Sequence, residues 1–240
     1  MRREHRAPGR VVSAAVRLET FSPTHLAIVG AVPLVAAALT ALARSGPRTA
    51  RRLRLALAAL IAANELAWYA FMAAQGWLAP PHGLPLELCE VVLWLTVYAL
   101  ATSRAWALDA IYYLGLVGSG MALLTPDVGA PFPSYPAVKF FVAHGAVVAA
   151  VLFLVWSGAL RPRPGSWWRA LLGVNAYAAA VAAFNARYGT NYMFLCRRPD
   201  SPTLLDLLGP WPWYLVGAEK RRSATTSALY LPVRTRAEPA

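Results

Sequence analysis

The chain has 240 residues, of which 58% are hydrophobic and only 14% charged, with a net charge of +12 and a mean hydropathy of +0.45. A soluble domain of this length carries roughly a quarter charged residues, so the composition excludes an ordinary soluble fold and points to the membrane class. The positive charge does not indicate nucleic acid, because the basic residues gather in the termini and connecting loops rather than in a stripe on one element.

Residues 1–22 are basic and lack a helical apolar face, so they read as a solvated tail. The first predicted span runs from Thr24 to Ala43, with Pro33 inside it; the apolar run is longer than the core of a secretory signal, so it is read as retained. A very basic loop, Arg44 to Arg52, leads to span two, Leu53 to Ala74, which carries Asn64 and Glu65. The next loop has no Lys or Arg. Span three, Leu84 to Thr102, bears Glu87, Cys89 and Glu90 in its first turns, and polar groups inside a span are functional candidates by default.

Span four, Ala105 to Leu124, holds Asp109, and its Gly115 and Ser119 have the small-xxx-small spacing of close helix packing. A proline-rich loop, Thr125 to Pro136, separates it from span five, Ala137 to Leu160, which contains Lys139 and His144. Span six is Trp167 to Phe184. A polar-aromatic loop, Gly189 to Ser201, and a short apolar piece, Thr203 to Val216, follow; the piece is too short to span and reads as interfacial. From Glu219 the chain reads as a second basic, solvated tail. The expected architecture is therefore an all-α bundle, residues 23–217, of six transmembrane helices plus a short or truncated seventh, between tails at 1–22 and 218–240.

Counting Arg54, Lys139 and Arg169 with the loops they adjoin, loops one, three and five hold five, one and three basic residues, against none and one in loops two and four, which assigns the odd loops to the cytoplasmic side. Loops two, four and six then share the opposite face. Measured from it, Cys89 and His144 both lie roughly 6–10 Å deep at 1.5 Å per residue. A thiol and an imidazole at one depth can act as nucleophile and base, with Glu90 about 100° from the thiol on the same helix. Glu65 is placed either to bond His144 or a substrate headgroup, or to staple helices. Loop six, with Asn191, Tyr192 and Cys196, is expected to close over that end.

The two cysteines rule out a disulfide framework but leave one Cys89–Cys196 bridge open. The four histidines are scattered without metal-ligand spacing, and no nucleotide-binding fingerprint is present, so no metal or cofactor is expected. Three function classes remain in view: a cysteine-dependent enzyme, a small transporter or channel using Glu65, Glu90 and Asp109, and a membrane scaffold.

The segments LPLELCEVV, YYLGLVGSGMALLTPD, KFFVAHG and GTNYMFLCRRPDSPTLLDLLGPWPWY, in that order, resemble the YwaF-like integral membrane proteins. Their animal relatives are regarded as phospholipid acyltransferases with a catalytic cysteine. The resemblance implies Cys89 as the acyl-accepting nucleophile, His144 as its base, and Asn191 and Tyr192 in a loop near the site. It also implies phospholipid and lysophospholipid as partners, in a bacterial-type cell membrane crossed several times. Two departures stand out. Glu87 occupies a position where His or Gln is expected two residues before the cysteine. After GPWPWY the chain turns to GAEKRRSATTSALYLPVR, where relatives continue into a last hydrophobic helix.

Overall fold

The computed structural model describes residues 18–198 and 207–234, and residues 1–17, most of the predicted N-terminal tail, lie outside them. Among the described residues there are seven helices and no strand. They are α1 (Pro23–Ala43), α2 (Pro47–Ala74), α3 (Leu88–Thr102), α4 (Ala105–Leu124), α5 (Tyr135–Trp156), α6 (Ser166–Tyr188) and α7 (Trp213–Arg234).

Local chemistry sets the ends. Ser22 caps α1 by accepting from the His25 amide at 3.3 Å, and Pro23 and Pro47 open α1 and α2, where the missing N–H costs nothing. Glu87 and Glu90 form a reciprocal capping box at the start of α3. Gly189, at φ 69°, ends α6 by returning its N–H to the Asn185 carbonyl at 2.8 Å, a left-handed position that favours glycine.

Helix α5 is the hub. One side, through Ala143, Val147, Ala150, Val151 and Leu154, joins the main core shared with α2, α3 and α4. The other, through Phe141 and Ala149, packs with Val32 and Ala36 of α1. Helix α4 approaches α5 most closely at Gly115: a Cβ there would meet Val147 and Val151 methyls at 3.1 and 3.2 Å. The chain bulges into a π-turn over Gly115–Ser119 at this point, the stretch whose small-residue spacing foretold close packing. α6 lies along α4, and α7 along α6.

The outside of the bundle is apolar. Leu34, Leu60 and Leu172 are 71%, 51% and 61% exposed, an arrangement that water would oppose and a lipid environment would not. Helices α1, α2, α4 and α5 are long and apolar enough to cross a membrane by length and composition.

Several boundaries differ from the sequence reading. α3 begins at Leu88 rather than Leu84, because residues 84–87 form an extended cap, and at 15 residues it is short. α2 starts at Pro47, so much of the first basic loop is helical. The largest correction concerns the C-terminus. The chain from Glu219 is not a solvated tail: α7 runs from Trp213 to Arg234, with Tyr214 and Thr226 buried. Hydropathy missed it because several of its polar groups are partnered by neighbours, which hydropathy does not see. Asn175 of α6 donates to Glu219 at 3.0 Å, Arg222 pairs with Glu219 and donates to Asn175, and Tyr112 donates to the Leu229 carbonyl at 3.0 Å. Thr203 to residue 206 and residues 235–240 lie outside the described residues.

Candidate functional site

The first turn of α3 lies at the end of the bundle where loops two and six meet. Tyr192 ties the loops together: its hydroxyl donates to the Pro81 carbonyl at 2.7 Å and accepts from the Leu84 amide at 2.8 Å. Burial pushes the Tyr192 phenol up from its ordinary value, so it stays protonated well beyond neutral pH. Glu87 accepts from the Met193 amide at 3.0 Å and so fastens loop six to α3. Loop six does close over this end.

Asn191 organises the loop itself, accepting from the Cys196 and Arg197 amides at 3.0 and 3.1 Å and donating to the Arg197 carbonyl. Asn185 of α6 supports it from below, accepting from Thr190 and from the Tyr192 amide at 2.7 and 3.0 Å. Asn191 and Tyr192, expected near a substrate, thus spend their described hydrogen bonds on the cap.

Cys89 is the second residue of α3, half-buried and with a free thiol; Cys196 is exposed and also free, so the bridge left open by the sequence does not form. Helical register puts Cys89 with Val92, Leu93, Thr96 and Leu100 on the buried face of α3. Glu90, about 100° away, is turned toward α2. The Tyr69 hydroxyl of α2 accepts from Trp94 at 3.0 Å, and these groups with Glu90 line a niche of about 500 Å³ between the two helices.

Lys139 of α5 reaches into the same neighbourhood. Its ammonium lies 2.9 Å from Glu65, which is 1% exposed, and 5.1 Å from the Trp68 ring centre. Glu65, Glu90, Glu87 and Lys139 all lie within electrostatic reach of Cys89. Through this pair Glu65 ties α2 to α5. Lys139 was read from the sequence only as a loop charge. A lone Lys at the opening of an apolar span, five residues before His144, was the signal that could have found it.

His144 is buried on α5 and packs against the Phe140 ring, with centroids 4.3 Å apart. Its Nδ1 lies 2.8 Å from the Phe140 carbonyl. A carbonyl only accepts, so in the neutral ring the proton sits on Nδ1 and Nε2 carries a free lone pair. His144 and Cys89 are not hydrogen-bonded to each other. Lys139 lies within electrostatic reach of both.

The sequence underestimated His25. It is fully buried, accepts from the Phe21 amide at Nδ1 (2.9 Å) and donates from Nε2 to the Leu123 carbonyl (2.7 Å), stapling α1 to the end of α4. Asp109 pairs with the Arg163 amide and guanidinium at 3.1 and 2.7 Å. Among the described residues no group of His, Cys, Asp and Glu could hold a metal ion.

An all-helical fold, an apolar exterior, four helices of membrane-crossing length and buried polar groups inside the bundle define a helical membrane protein. Residues 20–230 match the TMEM164 family, and the chain belongs to that family. Neither the curated proteins nor the solved structures compared with the chain gave a match.

Proposed function

We propose that the protein transfers a fatty acyl chain between phospholipids through an acyl-cysteine at Cys89, as a multi-pass protein of the cell membrane and a YwaF-like bacterial member of its family. The observation that carries this reading is the tautomer of His144. With Nδ1 committed to the Phe140 carbonyl, Nε2 is left as a buried base with no described partner, on the helix packed against the one that bears the thiol. In the reaction, Nε2 takes the thiol proton and the thiolate attacks a lipid ester carbonyl. The C–O bond breaks and His144 returns the proton to the departing lysolipid oxygen. A second lysolipid hydroxyl then gives its proton to His144 and attacks the thioester, releasing the thiolate, which is reprotonated. The two groups are not in contact here; catalytic hydrogen bonds commonly tighten only when substrate is present. Glu65, Glu90 and Lys139 surround the thiol with charge that orients a polar headgroup, under the cap held by Asn191 and Tyr192.

A transporter has less support. Glu65 and Asp109 are each tied to a basic partner, toward opposite ends of the bundle, rather than lining one path. The test is the intact mass of the purified protein after incubation with phospholipid. An acyl adduct on Cys89 that hydroxylamine removes is expected; full turnover with Cys89 never modified would overturn the mechanism.

The proposal includes seven crossings, with α7 the last. α7 starts beside loop six, where Tyr214 donates to the Phe194 carbonyl, passes Asn175 midway along α6, and reaches Tyr112 of α4 at Leu229. At 1.5 Å per residue, the 16 residues from Trp213 to Leu229 cover about 24 Å. Topology reporters inserted after Gly189 and after Arg234 are therefore expected to lie on opposite sides. Reporters on the same side would return α7 to an interfacial helix.

A further inference from the structure

A second feature lies on the other flank of α3. Between α3, α4 and α6 runs a groove of about 430 Å³, walled along its length by Val91, Leu95, Ala110, Gly173 and Val174. At one end stand Leu88 and Tyr177, beside the first turn of α3; at the other stand Trp106, Arg163 and Arg169. On α6 the groove extends from Ser166 to Tyr177, about 16 Å at the helical rise per residue. It is an apolar trough with a cationic end.

The arginines at that end have donors to spare. Arg163 uses its backbone amide and Nε on Asp109, which neutralises that carboxylate and leaves the two terminal guanidinium nitrogens without a described partner. Arg169 donates one terminal nitrogen to the Pro164 carbonyl at 3.1 Å, and the guanidinium lies 5.8 Å from the Trp168 ring centre. Both arginines are exposed. The indoles of Trp106 and Trp168, also exposed at this end, have the amphipathic character that suits the headgroup level of a bilayer.

We propose that this groove is a binding site for an anionic membrane phospholipid, its phosphate between Arg163 and Arg169 and one acyl chain lying along α3 and α6. Charge complementarity selects the headgroup: two guanidinium groups face the groove's mouth, and the carboxylate among them is already paired. The apolar walls select a chain rather than a soluble phosphate. The site is separate from acyl transfer. Cys89 lies in the first turn of α3, beside the Leu88 and Tyr177 end of the groove, whereas the arginines stand at the other end, about 12 Å along α6 from Arg169 to Tyr177. The ester carbonyls of a lipid anchored at the arginines stay near its headgroup, out of reach of the thiol. The occupant is a resident lipid of the basic face, not the one attacked.

The test uses the full chain in nanodiscs containing phosphatidylglycerol with a photoactivatable group on its acyl chain, followed by peptide mapping of the crosslinks. Labelling is expected to concentrate on Val91, Leu95 and Val174. Arg169→Gln, which leaves the Asp109–Arg163 pair intact, is expected to cut it about fivefold, with unlabelled phosphatidylglycerol competing and inorganic phosphate or phosphatidylcholine not. Gly173→Leu fills the trough from a position where an added Cβ meets nothing within 4 Å. It is expected to fold normally and reduce labelling roughly tenfold. Should that variant fail to fold, the Arg169→Gln and competition arms decide alone. Labelling as dense on the outward Leu34 as in the groove, insensitivity to both substitutions, or displacement by inorganic phosphate would each overturn the site. Since labelling does not depend on acyl-adduct formation at Cys89, failure here leaves the catalytic proposal standing, and the reverse.

Discussion

Cys89→Ser is expected to reduce acyl transfer by about four orders of magnitude, and His144→Ala by about two to four, with the folded yield of both variants unchanged. The cysteine loss is the larger because it removes the atom that carries the acyl group. The histidine loss removes only a proton acceptor, for which water substitutes poorly. The double variant should be scarcely worse than Cys89→Ser, since members of one catalytic unit do not contribute additively. Glu87→Gln should be mild: its carboxylate faces the Met193 amide, and an amide oxygen still accepts that bond. The measurement is turnover of a labelled phospholipid and lysophospholipid pair in proteoliposomes. Full activity in Cys89→Ser would end the cysteine mechanism. Wild-type activity in His144→Ala would mean that another group takes the proton.

The second large effect is on stability. Glu65 and Lys139 are paired at 2.9 Å with side-chain exposures of 1% and 12%. Removing one partner of a buried pair leaves an uncompensated charge, at a cost of about 3–5 kcal/mol. Lys139→Met should therefore lower the midpoint of thermal unfolding in detergent sharply, because it strands Glu65 with Glu90 nearby and no ammonium to offset them. Replacing both members, as Glu65→Leu with Lys139→Met, should recover most of the loss, since an apolar pair of similar volume needs no compensation. If the double variant is as unstable as the single one, the pair is not what holds α2 to α5 here. If the double variant is stable yet inactive, the charges serve the reaction at Cys89 as well as the packing.

Much of the candidate site was legible because polar residues are rare in such a chain. Against an apolar background, Glu65, Cys89, Glu90 and His144 stand out individually, and their distance from the nearest loop gives their depth. Depth does not give direction around a helix, nor which of several polar groups will pair. Glu65 took the ammonium of Lys139 rather than the imidazole of His144. His144 turned its Nδ1 to its own helix, and Glu87 turned to a loop amide. Asn191 and Tyr192 were legible as residues of the closing loop, but not as the groups that lock it. The Tyr192 bonds to Pro81 and Leu84 join positions more than a hundred residues apart, and no local pattern encodes them.

The amino-acid sequence by itself determined that this is a helical membrane protein, and placed six of its helices with ends no more than six residues off. Length and apolar content of a run are local properties, and the caps at Ser22, Pro47, Glu87 and Gly189 act over a single turn. It also marked the Gly115–Ser119 stretch as a close contact, met at Gly115, because a small side chain is a property of the residue alone. The seventh helix was decided only in the tertiary structure. Its hydropathy is low because Glu219, Arg222 and Thr226 are polar, and hydropathy assigns each polar group its cost as if it were unpartnered. Asn175 of α6 bonds both Glu219 and Arg222, Tyr112 of α4 bonds the Leu229 carbonyl and Tyr214 bonds the Phe194 carbonyl, which lowers that cost and lets a polar helix pack against an apolar bundle.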